Sequence, residues 1–172
     1  MLFKDASSLL SHKHKDRPYE DFRRQLLMPI KYSQPGPSIS WLDINSDGID
    51  DIVIGNGAGG SLSVFHGKAG GVFEPSKSKL LLKTNWDQTM ITPIYSNNKL
   101  NSLIVGVSNY ESGSPQLPSA ALYDFSNQKT AAIRTGMNGS TGAICQTDLN
   151  GDDELEFFLA GQIVPGHYPS PA

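Results

Sequence analysis

The stretch DINSDGIDDIVIG, residues 43–55, decides how this chain is read. Asp43, Asp47, Asp50 and Asp51, with Asn45, fall within nine positions, and the chain then turns β-branched and apolar up to Gly55. Carboxylates packed this closely repel one another unless a cation gathers them. The β-branched run closed by glycine reads as a short strand, so the acidic segment is a loop that feeds it.

The pattern recurs. WLDINSDGIDDIVIG, from Trp41, has a relative in QTDLNGDDELEFFLAG, from Gln146: an apolar strand, an acidic loop opening Asp-x-Asn, a second apolar strand, then glycine. Asp43 and Asp148 lie 105 positions apart, too far for one small repeat and suited to two. A degenerate middle copy is expected at ITPIYSNNKLNSLIVG, from Ile91, where Ile94, Ser96, Asn98 and Ser102 stand in place of Asp43, Asn45, Asp47 and Asp51. Its strands persist while every carboxylate is lost. The resulting intervals of 51 and 54 positions are close to the length of a propeller blade.

The runs SISWL, DIVIG, SLSVFHG, SLIVGVS, AALYDF, AICQT and EFFLAG are short, rich in β-branched and aromatic residues, and separated by glycine, asparagine and proline. They predict an all-β chain of short antiparallel strands. Residues 1–35 read as a leader, with one helix expected in RPYEDFRRQLLM, where Tyr19, Phe22, Leu26 and Leu27 fall near helical spacing and Pro29 follows. The leader is expected to pack on the first unit. Repeat units are expected near 36–85, 86–130 and 131–172.

Calcium takes six to eight oxygen ligands, and a tight loop offering side chains at alternate positions can surround it. Positions one, three, five and nine of the first loop are Asp43, Asn45, Asp47 and Asp51. Gly48 at position six permits a sharp turn, and the carbonyl of Ile49 at position seven supplies a neutral oxygen. The start resembles an EF-hand loop, but position twelve is Ile54 inside a strand, where an EF-hand has a glutamate leading into a helix. The second loop offers Asp148, Asn150, Asp152 and Glu156 with the carbonyl of Glu154, and replaces the glycine by Asp153, a residue type that tolerates the left-handed conformation. Asp, Asn and Gly also favour turns without any metal, but the ninth-position carboxylate and the repetition of the whole pattern favour calcium. Magnesium suits these loops less, since it keeps several waters.

These residues carry a family resemblance. DINSDGIDDIVIG and DLNGDDELEFFLAG resemble the FG-GAP or VCBS repeat of integrin-type β-propellers and of many secreted bacterial proteins, and DFRRQLLMPIKYSQPGPSISWLDINSDGIDD and AGQIVPGHYP are similar to segments of large bacterial proteins of that kind. The resemblance implies a β-propeller, calcium in the acidic loops, and a secreted or cell-surface location, with no particular ligand. About three blade units would leave sheet edges exposed, so a part of a larger propeller is expected, completed by further blades or by other copies of the chain.

Other classes find little support. A charged fraction of 18% with formal net charge −3, and basic residues scattered apart from Arg23 and Arg24, give no basic face for nucleic acid. No apolar run reaches the length of a transmembrane helix, and MLFKDASSLL lacks the basic and apolar regions of a signal peptide; so abrupt a start, with the loop-like end PGHYPSPA, suggests a piece of a longer protein. GNGAGG, at Gly55, Gly57 and Gly60, matches a dinucleotide fingerprint in spacing, but a strand follows it, so it reads as a hairpin turn. His12 and His14 lack further zinc ligands nearby and read as part of a solvated leader, and Cys145 reads as a buried strand thiol. No nucleophile elbow is present.

The leading expectation is a non-catalytic module that binds a protein or glycan. The long loops NYESGSPQLPS and VPGHYPSPA, and aromatics such as Tyr110, Tyr168 or Trp86, would meet the partner. The rivals are the propeller portion of a carbohydrate-processing enzyme, for which unpaired acids clustered in a concave pocket would speak, and a purely structural assembly domain.

Overall fold

The computed structural model describes residues 4–78, 83–96, 99–112, 114 and 117–170. Among the described residues, ten strands form three antiparallel sheets. The first holds β1 (Ile39–Leu42), β2 (Asp51–Ile54), β3 (Ser63–Lys68) and β4 (Val72–Pro75) in sequence order. The second repeats that order with β5 (Asp87–Ser96), β6 (Lys99–Ser108), β7 (Ala120–Asp124) and β8 (Lys129–Ile133). The third pairs β9 (Ser140–Thr147) with β10 (Glu156–Ile163). Each four-stranded unit is an up-and-down meander with the form of a propeller blade.

Side-chain alternation along the strands stacks the sheets face to face. From the first sheet, Leu42, Val53 and Val64 meet Leu103, Val105, Val107 and Tyr123 of the second in one continuous core. On the opposite face of the second sheet, Ile104 and Ala120 pack with Ile144, Phe157 and Leu159 of the third. The middle strand β6 is therefore covered on both sides, which explains why its sequence is a run of apolar residues and not an alternation. The outer face of the first sheet, built on Ile52, Ile54 and Phe65, is covered only in part, by Leu10 of the leader. There Ile39 and Trp41 are 59% and 60% exposed, and Trp41 meets Phe73 edge to face.

The first strands of successive units, β1, β5 and β9, lie beside one another. The hydroxyls of Ser38 and Ser40 donate to the carbonyls of Gln88 (3.3 Å) and Ile91 (3.0 Å). Such close approach needs a gap in the neighbouring strand, and glycine supplies it. A Cβ on Gly55 would lie 2.8 Å from Ser38 Oγ and 3.0 Å from Gln88 O; one on Gly106 would lie 2.5 Å from Thr89 Oγ1 and 3.2 Å from Thr141 Cγ2. These two glycines close DIVIG and SLIVG in the first and middle units, so this repeat signal has a packing cause.

Three expectations are corrected. The helix is a single turn, Asp21–Arg24, and Leu26 and Leu27 are 83% and 91% exposed. What holds this segment is Asp21, fully buried, which accepts the amides of Tyr32 (2.6 Å) and Ser33 (3.0 Å) and the Ser33 hydroxyl. The leader packs on the first unit, through Leu10 and the Lys15–Asn56 contact, and also beyond it, where Met28, Tyr19 and Tyr32 form a cluster with Tyr110 and Ile163. Tyr110, expected at the surface, is wholly buried there and donates to Met28 Sδ at 3.2 Å. Cys145 is exposed, not buried, because it and its cross-strand neighbour Phe158 lie on the uncovered face of the third sheet.

In the middle unit the hairpin extends through the region where the other units have acidic loops. β5 and β6 are ten residues each, against four each in β1 and β2, and Ile94 faces Ser102 across the pair. With no carboxylates to accept loop amides, strand pairing satisfies the backbone instead. The Ser96 side chain and Asn98 lie outside the described residues.

Gly55→Ala is expected to lower stability by about 1–3 kcal/mol, because the new methyl presses on the Gln88 backbone. Urea unfolding checks this; a loss no larger than that of Gly142→Ala, a strand position without a left-handed backbone where the added methyl meets nothing closer than 3.4 Å, would contradict it.

Candidate metal centres

The two acidic loops join β1 to β2 and β9 to β10, at the same end of their hairpins. Their backbones match position by position. Position four is left-handed in both, at Ser46 (φ 60°) and Gly151 (φ 80°), and so is position six, at Gly48 (φ 83°) and Asp153 (φ 66°).

Hydrogen bonds repeat with the same fidelity. The first-position carboxylate accepts the amides of positions five and six: Asp43 from Asp47 (3.1 Å) and Gly48 (2.8 Å), Asp148 from Asp152 (3.2 Å) and Asp153 (3.0 Å). Asn45 and Asn150 each accept from position five at 2.9 Å, and Asp47 and Asp152 accept the amides of Ile49 (3.0 Å) and Glu154 (2.9 Å). The ninth-position carboxylate accepts the amide of position two, Asp51 from Ile44 (3.1 Å) and Glu156 from Leu149 (2.7 Å).

The side-chain amides occupy the space between acids. Asn45 Nδ2 donates to Asp47 (3.0 Å), and Asn150 Nδ2 donates to Asp152 (2.9 Å) and Glu156 (3.3 Å). A hydrogen bond from Ile49 N–H, above all, holds the Asp47 carboxyl below the usual range; that of Gly151 does the same for Asp148. Most of each loop is exposed, but Asp51 is fully buried and also binds the Gly67 amide (2.8 Å) and His66 Nδ1 (3.2 Å). Both loops therefore offer an oxygen-only donor set, braced by their own backbone, of a kind that suits calcium.

At the opposite end of the sheets lies a group the sequence reading missed. Asp16 in the leader, Asp87 at the start of β5 and Glu111 after β6 each place an oxygen within 4.8 Å of the others, and among the described residues this is the one such group of three acidic, histidine or cysteine side chains. Asp87 is 3% exposed. Its Oδ1 accepts the Ala58 amide at 2.8 Å, whereas Asp87 Oδ2 and Glu111 Oε1 are buried with no hydrogen-bond partner. Burial, then the nearby Asp16 charge, pushes Asp87 up to about 6; burial, then Asp87 and Asp16, pushes Glu111 up to about 7. The three residues are scattered over 95 positions, so no local spacing reveals them. The available signal was GNGAGG. It is the β2–β3 turn, as expected, but it is almost wholly buried, and a Cβ on Gly57 would collide with the Asp16 carboxylate at 2.3 Å. The leader is seated on this turn: Gly57 N–H donates to Lys15 O (3.0 Å), Lys15 N–H to Asn56 Oδ1 (2.7 Å), and His12 Nδ1 lies 3.2 Å from Ser63 Oγ. The expectation of a solvated His12 is therefore corrected to a half-buried one.

Comparison with protein families matches the FG-GAP repeat to residues 35–73, which span the first acidic loop and nearly all of the first sheet. No curated protein and no solved structure matched the chain.

Gly48→Ala, in calcium-free buffer, is expected to cost about 1–2 kcal/mol from left-handed strain alone, since nothing lies within 4 Å of the added methyl. Asp153→Ala is expected to cost well under half of that, because a side chain already occupies the left-handed position there. Chemical denaturation of both variants checks the pair, and equal losses would contradict the equivalence of position six.

Proposed function

Since residues 35–73 form an FG-GAP repeat, we propose that the chain is a calcium-binding, non-catalytic β-propeller module of an exported or cell-surface bacterial protein, which presents its surface to a protein or glycan. The observation that carries this reading is the shared scaffold of the two loops, in which the same positions turn, donate and accept in two segments of different sequence. Asp43, Asn45, Asp47 and Asp51 with the Ile49 carbonyl would hold one calcium, and Asp148, Asn150, Asp152 and Glu156 with the Glu154 carbonyl another. Calcium in these loops supplies positive charge that turns carboxylate repulsion into attraction. The residues themselves fix the turn between two strands and so the register of each hairpin.

Further blades or another copy of the chain fit the apolar surface left open at each end of the stack, around Ile39 and Trp41 on one side and Phe158 on the other. Of the aromatics suggested for partner contact, Tyr168 is 38% exposed, Trp86 packs partly against the main core, and Tyr110 is excluded by burial. Export is consistent with a chain in which no described helix is long and apolar enough to cross a membrane, but it rests on the family resemblance.

The enzyme reading gains nothing from the Asp16, Asp87 and Glu111 group. Their oxygens lie closer together than the roughly 5–9.5 Å between the carboxyls of glycosidases. Asp87 is also too buried to meet a glycan.

Thermal melts with calcium, with magnesium and with chelator test the proposal on the chain and on Asp47→Ala and Asp152→Ala. Calcium is expected to raise the midpoint by several degrees, with each substitution removing part of the rise. A folded chain indifferent to calcium would overturn the reading.

A further inference from the structure

We propose that Asp16, Asp87 and Glu111 form a further cation site, separate from the acidic loops, that takes an oxygen-seeking divalent ion of the calcium, magnesium and manganese class and fastens the leader to the second sheet. Three carboxylates converge from three separate parts of the chain, and the strand registers bring them to one end. Asp87 begins β5 opposite Ser108, the last residue of β6, and Glu111 follows three positions later.

Two features point to a ligand and not merely to crowded acids. Asp87, almost fully buried, has one oxygen anchored on the Ala58 amide while Oδ2 has no partner, and its carboxylate brings an oxygen within 4.8 Å of oxygens of Asp16 and Glu111; Glu111 Oε1 is likewise buried and unpartnered. A buried polar oxygen without a partner is costly, and buried like charges more so, so a counter-ion satisfies both at once. Gly57 leaves the space in which the Asp16 carboxylate sits.

The donors favour a hard cation. All three are carboxylates, whereas a zinc site would call for nitrogen or sulfur. The one imidazole nearby, His14, has Nε2 3.8 Å from Asp16 Oδ2, too far from that oxygen to hydrogen-bond to it. A cavity of about 270 Å³ lined by Arg17, Ala58, Asn85 and Glu111 adjoins the group at Glu111. Burial, and then the neighbouring carboxylate charges, push Asp87 and Glu111 above the usual carboxylate range, the direction expected where a counter-charge is missing.

The consequence is local. Asp16 lies in the leader between Lys15 and Arg17, where the segment is otherwise held by the Lys15 and Asn56 contacts and by Arg17 to Asn85 (3.1 Å). An ion shared by Asp16, Asp87 and Glu111 would make seating of the leader depend on the cation.

Equilibrium dialysis of the full chain decides the matter, first against calcium and then against magnesium and manganese. It uses an Asp47→Ala/Asp152→Ala background, so that failure of the acidic-loop reading and failure of this one are told apart. The background chain is expected to retain one divalent ion per chain, and Glu111→Gln or Asp16→Asn in that background to abolish it. Both variants remove a like charge from the group, so circular dichroism is expected to show a folded chain in each case. Cleavage by trypsin after Lys13 and Lys15 is expected to slow on adding the ion to the background chain and not to the Glu111→Gln chain. No ion bound by the folded background, binding unchanged by both substitutions, or binding of zinc alone with loss in His14→Ala would each overturn the proposal.

Discussion

The second sheet has two apolar faces, and a sheet of that kind is stable only when both are covered. Leu103, Val105 and Val107 look one way along β6 and Ile104 the other, so the strand must be sandwiched. The first and third sheets provide the cover. Stacking then forces β1, β5 and β9 side by side, which in turn requires the small residues Gly55 and Gly106 where a side chain would strike the next unit. The same stacking leaves an unsatisfied face at each end, and the exposed Trp41 and Phe158 mark those two faces.

Stacked meanders have two ends, and acids gather at both with different logic. At the hairpin end each loop is self-contained: its carboxylates accept its own amides, and the geometry repeats between segments 105 positions apart. At the other end the acids come from the leader, from β5 and from the connection after β6, and two of their buried oxygens, Asp87 Oδ2 and Glu111 Oε1, have no hydrogen-bond partner. In the loops, hydrogen bonds to backbone amides hold Asp47 and Asp148 below the usual carboxylate range. At the other end, burial and neighbouring carboxylate charge push Asp87 and Glu111 above it.

Legibility in the sequence follows that difference. The acidic loops, the strands and the three-unit order could be read because each depends on residues close in sequence, and even the left-handed Asp153 was signalled by its place in the repeat. The helix failed for a physical reason: Tyr19, Phe22, Leu26 and Leu27 have helical spacing, but the buried Asp21 carboxylate draws in Tyr32 and Ser33 and turns the chain after one turn. Cys145 and Tyr110 failed because burial on a strand or loop depends on which neighbour covers it, and periodicity does not reveal that. Asp16, Asp87 and Glu111 were illegible for the same reason, although three glycines in a buried turn were a local sign that something approaches closely.

The central claim is that the two acidic loops are one cation-binding device used twice. Its most direct test follows the backbone amide resonances of Gly48 and Asp153, the position-six residues, during a calcium titration by nuclear magnetic resonance. The account predicts that both move, each with the neighbouring amides of its own loop, while the amides of Ile94 and Ser102, where the middle unit has paired strands in place of the loop and which lie at the end away from Asp87, stay in place. Resonances of both loops that remain fixed in a folded chain at millimolar calcium would contradict it.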